Sequence, residues 1–456
     1  VSDVAALRRL VSDTFRAHFA AQPRLARAPG RVNIIGEHTD YNGLPVLPMA
    51  IDREIAVAFA PRADSRVTVT DTSERFFPCE FHLSNAVPAS APGDWVNYVK
   101  AGAQALWLWA EENQPDALPL KGFMGCFGGT IPAGSGLSSS SALVVASALA
   151  IAAVNDLQIE KPQLADVLAK GERYVGTEGG GMDQAVSLLA EEGKALKIDF
   201  FPLRTRPVPL PPGYLLVVAN SMVSAKKSGE ARLAYNTRVA ECKLGLQMLK
   251  HVVLRQHQEV AGALLLRDFA EAVHGAVGYL DALPDGALSL GEIAAFLGVS
   301  VDDLASRCLR QRDGSLFPYE EVLFEPKRRC RHVLTEGVRV NLAADALLAG
   351  DAARLGELMN ESHASCADDY GISCEELDVL VGILLRHGAY GARLTGAGFG
   401  GCAVALVRSE EANAVMDAVW NDYFGSYRAS KGYTRAADRN AVLFACKPVQ
   451  GAGLLD

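Results

Sequence analysis

The sequence has no Cys-x-x-C pair, no long apolar run and no excess of basic charge, and each absence removes a class of protein. Nine cysteines in 456 residues is ordinary usage and an odd number. A disulfide framework and the common zinc and thioredoxin motifs are therefore not expected. The longest apolar stretch, Ala142 to Val154, is about 13 residues, short of the roughly 18 needed to span a bilayer. Lys and Arg total 44 against 53 Asp and Glu, a net charge of −9. That balance argues against nucleic acid as the main partner and offers no polybasic membrane surface. A signal peptide is also missing. Val4, Leu7, Leu10, Val11, Phe15 and Phe19 recur at helical spacing, which predicts an amphipathic surface helix that Pro23 ends. The first residue is Val rather than Met, which leaves room for an initiator or a leader upstream. What remains is a chain with 49% apolar and 21% charged residues, able to bury a core in two to three domains. A reduced, cytoplasmic, globular protein is expected.

Local patterns give the coarse organisation. Strands are predicted at Arg27–Asp40 (running into a polar turn), Val46–Ala60, Met124–Thr130, Tyr214–Asn220 and Ala441–Cys446, with a hairpin across Val67–Leu83. Helical periodicity covers Asp94–Trp109, Ala142–Asp156, Leu164–Val175, most of Glu230–Leu265, and segments near 325–348, 352–364, 375–388 and 410–424. A Pro-rich stretch at 200–214 reads as a domain boundary, and 283–320 as a polar insertion. Strands and helices mix without regular alternation, so the fold class is α+β in two domains.

Three segments carry glycine and polar residues in patterns that suit ligand binding. Pro132-Ala133-Gly134-Ser135-Gly136-Leu137-Ser138-Ser139-Ser140-Ser141 follows a strand and opens a helix. Free first-turn N–H groups, the helix dipole and serine hydroxyls would hold phosphate there, although a serine-capped flexible loop has the same composition. It is neither a Walker A loop nor a nucleophile elbow. Gly396-Ala397-Gly398-Phe399-Gly400-Gly401 satisfies G-x-G-x-x-G, but a strand pattern follows where a dinucleotide fold needs a helix. It is either a tight hairpin or a place of close backbone approach. The segment Pro29 to Tyr41 brings Arg31, Glu37, His38 and Asp40 to a strand end, suited to sugar hydroxyls or to a solvated turn.

Together these segments resemble, in order and spacing, the three signature motifs of the GHMP small-molecule kinases. Gly30-Arg31-Val32-Asn33-Ile34-Ile35-Gly36-Glu37-His38-Thr39-Asp40-Tyr41-Asn42-Gly43 is similar, nearly letter for letter, to the galactokinase-family signature. Gly179-Gly180-Gly181-Met182-Asp183-Gln184, Met359-Asn360-Glu361-Ser362-His363 and Leu394-Thr395-Gly396-Ala397-Gly398 extend the resemblance, which runs from about residue 25 to 448. It implies a two-lobed fold, residues 1–205 and 206–456, with the active site in the cleft between lobes. It implies ATP-dependent phosphorylation of the anomeric hydroxyl of a galactose-type sugar; a monomer is expected. By position, Arg31, Glu37, His38, Asp40, Gly180, Asp183 and Tyr235 would contact the sugar, and Gly136, Ser138, Ser139 and Ser140 the triphosphate. Ser140 and Glu172 would be Mg²⁺ ligands, Trp95 and Tyr98 would lie near the adenine, and Asn220 and Ser221 would border the nucleotide. Asp183 would accept the hydroxyl proton and Arg31 would stabilise charge on the phosphoryl group.

Departures from the family pattern bear on the sugar. Ten residues separate Glu172 from Asp183, one fewer than in typical bacterial galactokinases. The Gly136–Val144 and Thr177–Gly181 segments lean toward N-acetylgalactosamine kinases, whereas His38-Thr39-Asp40-Tyr41-Asn42-Gly43 leans toward galactokinases. Galactose is the expected substrate and N-acetylgalactosamine the alternative. A galactose- and ATP-binding sensor is a third reading, opposed by the intact serine loop, and the Glu37-His38-Thr39-Asp40 set opposes an arabinose kinase.

Overall fold

The computed structural model describes residues 4–176, 179–223, 230–310, 314–434 and 436–455. Helix α1 (Val4–Phe19) buries Leu7, Val11 and Phe15, the spacing that made it legible. Strands β1 (Arg24–Ile35), β2 (Leu47–Pro61), β3 (Arg66–Asp71) and β4 (Cys79–His82) follow, then α2 (Val96–Asn113) and β5 (Phe123–Gly129). Helix α3 (Ser139–Val154) is apolar all round because it packs on α2, β1 and β2 at once. It starts three residues before the predicted Ala142. Helices α4 (Lys161–Gly171) and α5 (Met182–Leu189) lead to the hairpin β6 (Lys194–Asp199) and β7 (Arg204–Pro209). β7 occupies part of the Pro-rich stretch read as a boundary. Prolines are tolerated there because each strand of a two-stranded sheet is an edge.

The second half holds β8 (Tyr214–Asn220), α6 (Glu230–Val253), α7 (Leu266–Ala272), α8 (Leu290–Leu297) and α9 (Val301–Cys308). Helices α10 (Pro326–Leu348), α11 (Ala352–Ser365) and α12 (Glu375–Arg386) precede β9 (Gly391–Thr395), β10 (Cys402–Arg408), β11 (Leu443–Cys446) and β12 (Gly453–Leu455). The segment 283–320, read as a polar insertion, contains α8 and α9. Ser289 and Glu292 form a capping box at the first of these, and Leu290, Ile293 and Leu304 are buried in the second core. Residues 311–313 lie outside the described residues.

Among the described residues, one sheet runs β12-β1-β2-β5-β3-β4 and another β11-β8-β10-β9. The fold is α+β, as the patterns predicted. The end of the chain returns to the first sheet, where Leu25 to Arg27 pair with Gly453 to Leu455. Helix α10 belongs to both cores: Cys330, Val333 and Leu334 pack in the second, and Val340, Ala343 and Leu347 in the first. Two register shifts interrupt the β1–β2 ladder, at Pro29/Arg31 and Asn33/Ile35. Such bulges re-aim side chains, and these two bracket Arg31. No helix of the described residues is long and apolar enough to cross a membrane. All nine cysteines are unpaired.

Candidate active site

Arg31 is the hub. Its Nε and Nη2 donate to Asp183 Oδ1 and Oδ2 at 2.8 and 3.1 Å, a bidentate fork, and its Nη1 donates to the Gly136 carbonyl at 2.5 Å. Asp183 lies in the first turn of α5, where the helix dipole favours a carboxylate. Its Oδ2 also accepts the Ser138 hydroxyl. The strand and the serine loop are fastened together by Arg31 N donating to Leu137 O at 3.2 Å. Gly30 permits that approach, since a Cβ there would lie 2.8 Å from the same carbonyl. The structure thus brings Arg31, Gly136, Ser138 and Asp183 into one cluster, as expected from sequence.

The serine loop turns into α3 through Ser138, which takes a left-handed conformation with φ 60° and gives no side-chain cap. The first-turn N–H groups of Ser139 and Ser140 are therefore left for a ligand. Ser141 was outside the expected set, yet its hydroxyl donates to Glu172 Oε1 at 2.5 Å. Ser140 instead hydrogen-bonds Tyr98. Trp95, one turn earlier in the chain, packs edge-on against Phe127 at 5.7 Å and beside Phe76 at 6.0 Å. The two glycine-rich loops touch: a Cβ on Gly396 would lie 2.7 Å from Gly136 O. Both readings of Gly396–Gly401 hold: the segment is the loop of the antiparallel β9–β10 hairpin and a place of close backbone approach.

The turn after β1 is more closed than expected. Glu37, expected at a sugar hydroxyl, is 2% exposed, and its Oε1 accepts Gly396 N at 2.8 Å and Arg393 Nη1 at 3.1 Å. The wholly buried Arg393 needs a counter-ion, and Glu37 supplies it. His38 is 6% exposed with both ring nitrogens engaged. Nε2–H donates to Ala397 O at 3.1 Å, so Nδ1 accepts from Tyr41 Oη at 2.9 Å. Burial holds this imidazole neutral, its pKa lowered to about 3. Tyr370 Oη continues the chain to Tyr41 Oη at 2.6 Å. Tyr235 packs against His38 and Tyr41, with ring centres 5.4 and 5.9 Å away.

Asp40 faces Asp183 from the turn. Its Oδ2 accepts Gly180 N at 3.0 Å. A Cβ on Gly180 would lie 2.5 Å from Asp40 C and Tyr41 N, so only glycine fits. Burial, together with the charges of Asp183 and Glu37, raises the Asp40 pKa to about 6. Thr177 and Glu178, part of the stretch compared with N-acetylgalactosamine kinases, lie outside the described residues.

Ser221, expected to border the nucleotide, is tied to the glycine loop. It has no exposed surface, and its hydroxyl and N–H both donate to Gly401 O at 2.8 Å. Its position at the end of β8, under the glycine loop, makes it an anchor for that loop. Asn220 accepts Met222 N at 2.8 Å. Sequence reasoning missed Arg393, Tyr370, His332 and Glu336, which hold the turn from 295 to 356 residues along the chain; only Arg393 stands beside a recognised motif.

The comparisons with known proteins agree with this arrangement. Residues 97–191 match the GHMP kinases N terminal domain and residues 343–425 the GHMP kinases C terminal family. Fold and site thus define a small-molecule kinase of the GHMP class. Residues 13–61 match the galactokinase galactose-binding signature. Galactokinase of Dictyostelium discoideum is 34% identical, covering 93% of this chain and 89% of its own. That of Chloroflexus aggregans is 37% identical over 90% of each chain. The crystal structure of Lactococcus lactis galactokinase complexed with galactose superposes with a TM-score of 0.75 at 28% identity, covering 99% of this chain and 100% of that one. Methanococcus jannaschii mevalonate kinase shares the fold, with a TM-score of 0.55 at 16% identity and coverage of 94% and 99%. The chain belongs to the galactokinase family.

Proposed function

We propose that the protein transfers the γ-phosphoryl group of ATP to the anomeric hydroxyl of galactose, giving galactose 1-phosphate and ADP. The observation that carries this is the Arg31–Asp183 fork, flanked by Ser138 and the open N-terminus of α3 on one side and by Asp40 on the other. Asp183 takes the place next to the acceptor oxygen, with the sugar hydroxyl replacing the Ser138 hydroxyl on Oδ2 and passing its proton there. Arg31 stabilises charge on the transferring group. The N–H groups and hydroxyls of Ser138, Ser139 and Ser140 bind the phosphates, and Trp95 and Tyr98 border the base. Asp40, Tyr235 and the wall made by His38 and Gly180 orient the sugar.

The donors near the serine loop suit Mg²⁺: Ser140 and the Glu172 carboxylate are hard oxygen ligands. Among the described residues no group of three or more His, Cys, Asp or Glu forms a metal cage. A single carboxylate and a hydroxyl fit an ion held mainly by phosphates and water. When bound, Mg²⁺ would neutralise charge on the nucleotide phosphates. The lobes are taken as 1–205 and 206–456, supported by the strand content of the two sheets, with β12 as a return crossing. A cytoplasmic monomer is part of the reading; the unpaired cysteines support a reducing compartment, and sedimentation tests the monomer.

The test is a coupled ADP-release assay with ATP, Mg²⁺ and a panel of galactose, N-acetylgalactosamine, galactosamine, arabinose and glucose. Galactose is expected to lead. Glucose, whose equatorial C4 hydroxyl leaves site groups unpaired, should fall by up to about 10⁴-fold in kcat/KM. Comparable constants for glucose, or no ADP with any sugar, would overturn the proposal.

A further inference from the structure

The Met359–His363 motif has no part in the site described above, yet its serine faces that site through one intervening residue. Ser362 and Ser365 lie one turn apart on α11, and His332 and Glu336 one turn apart on α10. Ser362 Oγ donates to Glu336 Oε1 at 2.5 Å, and the same oxygen accepts Gly36 N at 2.9 Å. Ser365 Oγ bonds His332 Nδ1 at 2.9 Å, and His332 Nε2 donates to Glu37 O at 3.0 Å. Two parallel rungs thus run from α11 through α10 to consecutive residues, one ending on an N–H and the other on a carbonyl.

The rungs are buried. His332, Glu336 and Ser362 have no exposed surface, and Ser365 is 8% exposed. Burial lowers the His332 pKa to about 4, consistent with a neutral ring that donates from Nε2 and accepts at Nδ1. Arg339, with its Nε 2.7 Å from Glu336 Oε2, and the nearby His332 and Arg393 hold the Glu336 pKa at about 2 against burial. Arg393 joins the Ser362–Glu336 rung by donating from Nε to Ser362 Oγ at 3.1 Å. The helix can come this close because Gly337 has no side chain; a Cβ there would press on Leu44 at 3.1 Å. Gly36, at φ 103°, is where β1 leaves the sheet for the turn that bears His38 and Asp40.

We infer that α10 and α11 form a two-rung clamp in which His332 and Glu336 are positioning residues for the sugar-binding turn. Neither touches the sugar. They fix the backbone of Gly36 and Glu37, and through it the aim of Asp40 toward the acceptor. The inference rests on the galactokinase reading for its kinetic consequence but not for its structural one.

The test uses the full chain with His332→Leu, His332→Gln and Ser362→Ala. His332→Leu removes one rung and should raise KM for galactose about tenfold while KM for ATP stays within about twofold. His332→Gln keeps an N–H able to reach the Glu37 carbonyl and should restore KM for galactose to within about threefold of the parent. Ser362→Ala should speed amide exchange at Gly36, and His332→Leu at residues 37–40, with no sugar present. Parental exchange rates in both variants would overturn the clamp, whatever the enzyme phosphorylates. So would a rise in both KM values together with no rescue by His332→Gln, the signature of a general structural defect. Faster exchange in variants of a parent that phosphorylates no sugar would leave the clamp standing and defeat the galactokinase reading instead.

Discussion

The serine loop and the turn at 36–43 meet at Arg31, yet they are held in opposite ways. In the turn, nearly every polar group already has a protein partner. Thr39 Oγ1 donates to Gly36 O and Pro45 O at 3.0 and 2.8 Å, Asn42 Nδ2 donates to His38 O at 3.0 Å, and Glu37 lies on Arg393. In the loop, the half-buried Ser138 rests its hydroxyl on Asp183 and the buried Ser141 on Glu172, and Ser138 sits in a left-handed conformation that disfavours a residue with a Cβ. On the proposed function, the difference teaches how one cleft treats two substrates. The sugar side is built before ligand arrives, which suits selection between epimers. The phosphate side keeps its donors on partners that a nucleotide can displace.

The strongest challenge to this contrast lies at Asp183, the carboxylate that Arg31 holds between the two regions. Asp183→Asn should keep the fold and the sugar but lower kcat by about 10²–10⁴-fold, because an amide cannot take the hydroxyl proton. Steady-state kinetics with calorimetry for sugar binding checks it, and activity within threefold of the parent would show that Asp183 only positions the sugar. The rigid side is next. Arg393→Met leaves Glu37 buried without its cation and should cost about 3–5 kcal/mol of stability in denaturant unfolding. A loss below about 1 kcal/mol would show that the turn does not depend on this pair.

A smaller effect follows from Asp40. Its folded pKa of about 6 lies above the ordinary 3.8, so the ionised group is unfavourable for stability at neutral pH, and that penalty fades as pH falls from 6 toward 4. Sugar binding by the carboxylate should weaken over the same window, with KM for galactose rising about tenfold by pH 5. Asp40→Asn should abolish that acid limb and be relatively more stable at pH 7 than at pH 5. A limb that persists in the variant would assign it elsewhere. The smallest effect belongs to the loop: Ser138→Ala should change stability by less than about 1 kcal/mol while KM for ATP rises. A larger loss in unfolding experiments would mean the loop is as fixed as the turn.

How much of this was legible depended on distance along the chain. The helix at Val4–Phe19 and the strand at Tyr214–Asn220 were readable from periodicity, because burial of one face acts residue by residue. The β6–β7 hairpin was not, since prolines at 207 and 209 signal a break unless the strand is known to be an edge. Ser289 and Glu292 did carry a capping signal inside the supposed insertion, but it was outweighed by the surrounding glycine and proline.

The site divides along the same line. Arg31, Gly136, Ser138, Gly180 and Asp183 stood in short motifs whose chemistry is local: glycines for close approach, serines at a helix start, a carboxylate in a first turn. By itself the sequence determined these, along with the α+β class and the family. Tertiary structure alone decided that Glu37 pairs with Arg393, that Ser221 lies beneath the glycine loop, and that His332 and Glu336 bond the backbone of the turn. Those contacts join residues 356, 180, 295 and 300 positions apart. A buried charge or amide takes whichever partner folding brings within reach, and no pattern along the chain records that choice.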